Sequence, residues 1–294
     1  MLFRSGYGAD GAQNDAFEAA KARVALKATY RLAPAGGEAP SWMIAARDSG
    51  APKEDPNSIV YLAFTSGTTG APKGVMHSDN TLLANARALS DDWKLYADSV
   101  IYSLSPLSHN LGFGAMVMTL IRGGRFVIHD LPRGASLADR IAETQAEFLF
   151  GVPTHAIDLL AELRSRGLKK LGRVRGFRIS GASAPPSVAE GLLAHGVTPQ
   201  SGYGMTEAGS HHYTLPGDTV QRICETSGRA CNGYDAKIFA EDAPERELGP
   251  GETGQIGGRG ASLMLGYFGD QAATEAAFNR QGWFMTGDIG WMDA

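Results

Sequence analysis

The sequence predicts an α/β protein: a parallel sheet with helices on both faces, joined to a small β-rich part. Three observations carry this expectation. Between about residues 58 and 194, short apolar runs alternate with longer stretches of helical periodicity, the pattern of strands joined by crossover helices. Glycine is abundant, at 38 of 294 residues, and clusters at the turns between those runs without any collagen-like period. Beyond residue 200 the alternation gives way to short strands and glycine turns.

Residues 15–30 read as a helix with Phe17, Ala20, Val24 and Leu26 on its apolar side, and 32–56 as a Pro/Gly/Ala-rich linker. Leu2-Phe3-Arg4-Ser5 resembles the translation of an adapter and is left out of fold reasoning. Residues 59–64 read as a buried strand that begins the alternation. Strands at 100–104, 125–129, 148–152 and 175–180 follow, interleaved with helices at 79–95, 111–121, 137–144, 154–164 and 186–194. The expected organisation is an incomplete N-terminal segment at 1–56, an α/β part at 57–200 and a β-rich part at 201–294. Ligands of such sheets collect at the carboxyl ends of the strands, so the loops after Phe64, Leu104, Val152, Ser180 and Gln200 are expected on one face.

Composition removes several classes. Lys and Arg total 27 and Asp and Glu 31, a formal net charge of −4, which argues against a nucleic-acid partner. No apolar run approaches a membrane span, and no signal-peptide core opens the chain. Cys224 and Cys231 have no accompanying ligand pair at metal spacing and read as reduced thiols of a cytoplasmic protein.

The strongest chemical signal is Thr65-Ser66-Gly67-Thr68-Thr69-Gly70-Ala71-Pro72-Lys73-Gly74, directly after a strand. Hydroxyls and free N–H groups on a pliant loop can wrap phosphate oxygens, and Lys73 adds a cation. Lys73 is preceded by Pro72 and followed by Gly74, so this is no Walker A loop.

That stretch resembles the phosphate loop of the adenylate-forming superfamily, and further stretches match in order. Tyr203-Gly204-Met205-Thr206-Glu207 resembles the core motif. Gly251 to Ile256, with Gly266-Tyr267-Phe268, resembles the β-rich segment after it. Trp283 to Asp288 resembles the ribose motif, and Gly181-Ala182-Ser183 an adenine-contacting loop. The acyl- and aryl-CoA synthetase branch is the nearest likeness.

The resemblance implies attack of a carboxylate on ATP with loss of pyrophosphate, then transfer of the acyl group to coenzyme A. It implies phosphate contacts from Thr65, Ser66, Gly67, Thr68, Thr69, Gly70 and Lys73, with Thr206 on the α-phosphate and Glu207 on Mg²⁺. Tyr203, Gly204 and Met205 would meet the adenine, and Asp288 the ribose hydroxyls. His109 would stand beside the incoming carboxylate, with Asn110, Phe113, Val152, Gly181 and Gly204 around an aromatic, alicyclic or medium-chain acid. Plainer alternatives exist: Tyr203 as a core aromatic, Glu207 or Asp288 as turn or cap residues, His109 as a satisfied buried histidine, and His211 and His212 as solvated loop residues. No Asp near His109 awaits a substrate ammonium, which weighs against an amino-acid adenylation domain.

The resemblance also leads one to expect a hinge, a lid domain and its lysine after the ribose motif, and these are absent from the sequence, so a fragment with impaired activity is expected. A non-catalytic nucleotide-binding module and a ligand-free α/β domain are the competing readings.

Overall fold

Runs of four apolar residues bury themselves only side by side, and the chain stacks them in parallel. The structure, a computed structural model, describes residues 55–65, 72–132 and 134–294. The expected helix at 15–30, most of the linker and loop residues Ser66, Gly67, Thr68, Thr69 and Gly70 lie outside these.

Strands β3 (Val100–Ser103), β4 (Arg125–Ile128), β5 (Phe148–Gly151), β6 (Gly176–Ser180) and β7 (Thr198–Met205) run parallel in the order β4-β3-β5-β6-β7. Two antiparallel strands, β8 (Gly209–Tyr213) and β9 (Arg229–Ala230), complete a seven-stranded sheet. Alternate side chains serve the two faces. Tyr102, Leu149, Phe177 and Ile179 pack beneath α3 (Leu137–Thr144), α4 (Pro153–Ser165) and α5 (Pro186–Ala194). Ile101, Phe148 and Phe150 pack beneath α1 (Asp79–Asp92) and α2 (Asn110–Arg122). Helices therefore cover both faces, as the sequence predicts.

Local chemistry explains the helix ends. Ser78 and Thr81 exchange side-chain and backbone hydrogen bonds at the start of α1, a capping box. That helix stops three residues before the expected 95 because Lys94 takes φ +50°, and Trp93 Nε1 donates to the Thr214 carbonyl at 3.2 Å. Gly123, at φ +69°, ends α2 in the left-handed conformation glycine tolerates. Pro sits in the first turn of α4 and α5, where its missing N–H costs nothing.

Two expectations need correction. The strand at 59–64, β1 (Ile59–Thr65), does not begin the parallel sheet. It pairs antiparallel with β2 (Lys73–Ser78), which pairs with β13 (Gly266–Tyr267). It is also not buried throughout, because Ile59 and Phe64 are 50% and 62% exposed. The mixed sequence Lys-Gly-Val-Met-His-Ser hid the partner strand, and without it the turn-back was unreadable. The second correction concerns β7, which continues past Gln200 to Met205, so the core motif lies on a hairpin rather than in a loop.

The β-rich part opens with a short helix, α6 (Val220–Glu225). Strands β10 (Tyr234–Ala240), β11 (Ala243–Glu247), β12 (Gly254–Gly260) and β14 (Phe284–Gly290) form an antiparallel sheet ordered β11-β10-β12-β14, with α7 (Gln271–Ala276) beside it in sequence. No helix among the described residues is long and apolar enough to cross a membrane.

The two faces of α4 predict a sharp contrast. Leu159 is fully buried and Ile157 is 46% exposed. Leu159→Ala should lower the unfolding free energy by about 2–5 kcal/mol in urea titration, and Ile157→Ala by no more than about 0.5 kcal/mol. Equal losses would contradict the assigned packing.

Candidate active site

The residues from Tyr203 to Glu207 occupy the end of β7 and the turn into β8. Gly204 permits this hairpin, since a Cβ there would stand 2.2 Å from the Gly209 carbonyl oxygen. Four consecutive carbonyls of the turn each accept from a residue distant in the chain, drawn from three segments. Asn110 Nδ2 donates to Met205 O at 3.3 Å and His77 Nε2 to Thr206 O at 2.7 Å. The backbone N–H of Met264 donates to Glu207 O at 2.7 Å, and Ser262 Oγ to Ala208 O at 2.9 Å. Asn85 grips the next strand at both ends of its amide, donating to Ser210 O at 2.9 Å and accepting from Ser210 N at 3.0 Å. One such bond is worth about 1 kcal/mol net, while an abandoned buried carbonyl costs about 1–3 kcal/mol. The turn is held from every side.

Lys73 reaches the Glu207 end of the motif through Tyr267. Thr65 and Lys73 face each other across β1 and β2, so the hydroxyl–glycine loop leaves and returns at one rung. The Lys73 ammonium lies 4.7 Å from the Tyr267 ring centroid, and the Tyr267 hydroxyl donates to Glu207 Oε1 at 3.0 Å.

Asp288 meets the first residue of the motif. Its Oδ2 accepts from the Tyr203 hydroxyl at 2.6 Å, and its N–H donates to Thr286 Oγ1 at 3.1 Å. Burial, reinforced by Asp288, pushes the Tyr203 phenol well above its ordinary pKa, so it remains a donor. The Tyr203 ring meets His211 edge-on at 4.9 Å. The exposed loop of Gly181, Ala182 and Ser183 follows Ser180, whose hydroxyl donates to Gly202 O at 3.3 Å.

The expected acid-binding residues divide. His109 caps α2, its Nδ1 accepting from Leu111 N at 3.1 Å, so in the neutral ring the proton sits on Nε2. Although His109 reaches solvent, partial desolvation of its ring lowers its pKa. Asn110 both binds the core turn and lines a narrow cavity of about 30 Å³ between α1 and α2. Phe113 stacks on Tyr61 with ring centroids 3.9 Å apart, in the cluster that holds Tyr267 and against which Met205 packs. Val152 lies beside Gly181, 3.7 Å from where a Cβ would stand.

His211 and His212 are not solvated loop residues. They sit on β8, His211 with no exposed surface, because the hairpin turns both back into the molecule. Their Nδ1 atoms are 2.6 Å apart, so one ring donates and the other accepts. Burial drives the pKa of His211 down to about 3 and that of His212 to about 4.

Sequence reasoning did not single out His77, Asn85, Ser262 or Met264, and it noted Tyr267 only within a longer motif. His77 and Tyr267 carried a signal: one lies four residues after Lys73 on the same strand, the other directly follows Gly266, seven residues after a Gly-rich run. Asn85, Ser262 and Met264 bond main chain across distant segments, which no local pattern reports.

The family model of the AMP-binding enzymes matches residues 8–268. The medium-chain fatty-acid–CoA ligase of Escherichia coli (strain K12) is 31% identical over 239 residues, covering 81% of this chain and 42% of that protein. Feruloyl-CoA synthase of Amycolatopsis sp is 30% identical, covering 81% and 48% respectively. The crystal structure of ATP-bound MatB from Rhodopseudomonas palustris superposes with a TM-score of 0.79 at 29% identity, over 97% of this chain and 56% of that one. The chain thus spans about half the length of the curated relatives it matches.

The buried histidine pair predicts a pH dependence. Above the unfolded-state pKa of about 6.5 both states leave these rings neutral, and the stability is complete. As pH falls below 6.5 the unfolded chain takes up protons that the fold refuses until about pH 4 to 3. Urea titrations at pH 7 and pH 5 should show a loss of roughly 1–2 kcal/mol per histidine. His211→Phe, which can keep the ring stacked on Tyr234, should show a smaller loss; an unchanged loss would contradict burial of a neutral His211.

Proposed function

We propose, because this chain belongs to the AMP-binding enzyme family, that it holds ATP and a carboxylic acid together and serves an acid–thiol ligase. The observation that carries the reading is the continuity of one set of contacts. Lys73 meets Tyr267 and Tyr267 meets Glu207 at the end of the core motif, while Tyr203 at its start meets Asp288. Those are the groups a nucleoside triphosphate needs at its two ends.

In the proposed reaction a carboxylate oxygen attacks the α-phosphorus of ATP. The bond to the β-phosphate breaks and pyrophosphate leaves. In the whole protein a thiol, that of coenzyme A, then attacks the acyl carbon and AMP departs. No side chain bonds covalently, so positioning and charge do the work. Lys73, with Ser66, Thr68 and Thr69 of the loop, would hold the β- and γ-phosphates. Thr206 would bond the α-phosphate, and Asp288 would accept the ribose hydroxyls. With its Nδ1 occupied by Leu111 N–H, His109 presents Nε2–H as a donor to the acid. Asn110 would face the acid from the start of α2, and Val152, Gly181 and Gly204 would border it.

Mg²⁺ suits what is present. Glu207 uses Oε1 for Tyr267 and leaves Oε2 without a hydrogen bond among the described residues, and Mg²⁺ takes one or two carboxylates plus phosphate oxygens. When bound it would offset charge building on the leaving phosphates. Among the described residues no three ligating side chains gather, so the ion would arrive with the nucleotide.

For the acid, the cavity of about 30 Å³ between α1 and α2 has mainly apolar walls but room for little more than a water, so an acyl tail would lie outside it or need the helices to part. Leu82, Leu89, Leu111, Val117, Met118 and Phe150 line its walls, and no Asp or Glu lines it to pair an ammonium. The activities named for the relatives, on medium-chain fatty and feruloyl acids, are what support an uncharged tail.

A melting experiment tests the reading. A non-hydrolysable ATP analogue with Mg²⁺ at about 100 times its Kd should add about 2.7 kcal/mol of stability, several degrees in Tm. Octanoate or benzoate should add to this shift, and alanine should not. Asp288→Asn should weaken nucleotide binding by about tenfold, the worth of one charged hydrogen bond. No shift with the wild-type chain would contradict nucleotide binding.

A further inference from the structure

We infer that Tyr267 is a positioning residue that seats Lys73 on its ring and orients Glu207 with its hydroxyl, keeping the two charges from collapsing into an ion pair. The inference rests on the reading that Lys73 and Glu207 face the triphosphate.

A lysine and a glutamate serving one ligand attract each other when the ligand is away. A direct pair would turn the ammonium from the phosphates and the carboxylate from the cation. No such pair forms among the described residues, where no ion pair joins Lys73 to Glu207. The Tyr267 ring receives the ammonium at 4.7 Å while the hydroxyl at its far end takes Glu207 Oε1 at 3.0 Å. One rigid side chain therefore spaces both charges.

The backbone makes that spacer immobile. Gly266 and Tyr267 pair with Met76 and Val75 of β2, the strand that begins with Lys73. The N–H groups of Leu265 and Phe268 donate to Met76 O at 2.8 Å and Gly74 O at 2.7 Å. Tyr267 N donates to Thr274 Oγ1 at 2.9 Å. Gly266 enters this bend at φ +138°, a conformation side chains resist, and a Cβ there would press Thr274 at 3.0 Å. Tyr267 itself is 8% exposed.

The chain should be titrated with a non-hydrolysable ATP analogue by calorimetry, at fixed Mg²⁺ concentrations from none to saturating. Tyr267→Phe keeps the ring and loses the orienting hydroxyl. The Mg²⁺ needed for half-maximal tightening of nucleotide binding should rise about tenfold, with metal-free affinity unchanged within about twofold. Tyr267→Leu frees Lys73 to pair with Glu207, and metal-free affinity should fall about tenfold as well. Should Tyr267→Phe fail to fold, 3-fluorotyrosine placed at 267 in the otherwise wild-type chain gives a second readout. Its ¹⁹F resonance should shift on adding Mg²⁺ to the nucleotide complex and broaden with Mn²⁺. Wild-type chain that binds nucleotide with no change from Tyr267→Phe, or with a silent fluorine signal, overturns the inference. Wild-type chain that binds no nucleotide overturns instead the reading beneath it.

Discussion

Four peptide carbonyls in a row, those of Met205, Thr206, Glu207 and Ala208, are each anchored by a group from elsewhere in the sequence. This constraint ties the three sheets together. His77 comes from the small antiparallel sheet, Asn110 from the helix above the parallel sheet, and Ser262 and Met264 from the segment leaving β12. Each donor is itself held: Thr81 Oγ1 lies 3.0 Å from His77 Nδ1, and α2 is capped one residue before Asn110. With the main chain so restrained, Thr206 and Glu207 have little freedom to reorient. A reaction that depends on placing charge rather than on bonding a side chain requires that stiffness.

The electrostatics around the turn follow a second rule, that buried groups stay neutral or lack acidic neighbours. His211 and His212 are held uncharged by burial. Arg178, fully buried, bonds Gln200 Oε1 at 2.8 Å and lies over the Tyr213 ring, and burial lowers its pKa to about 10, still charged at neutral pH. Gly202 accommodates it, since a Cβ there would fall 2.5 Å from the guanidinium. Among the described residues no carboxylate pairs with this guanidinium beneath the strand that bears Tyr203, which under the proposed reading would add to the attraction for an anionic ligand.

Much of this was legible in advance, and the failures have physical reasons. Helices 137–144 and 186–194 match residue for residue, because caps and prolines mark their ends as clearly as their apolar faces do. The parallel strands were legible because burial on both faces leaves near-continuous apolar runs. Strand β2 was not, because Lys73 and His77 stand where apolar residues would advertise a strand. His211 and His212 misled because a hairpin, not composition, decides that they point inward. The motifs named the residues around the turn, yet nothing in them announces that Asp288 meets Tyr203 or that Tyr267 stands between Lys73 and Glu207. Such contacts join positions far apart in the chain, and a single sequence read locally carries no record of them.

A crystal structure of the chain with a non-hydrolysable ATP analogue and Mn²⁺ tests the shared grip most directly. One analogue molecule should span the core turn, its ribose hydroxyls on Asp288, its terminal phosphates beside Lys73 and the metal on Glu207. A molecule bound at only one of these ends, with the other end in a separate cavity, would contradict it.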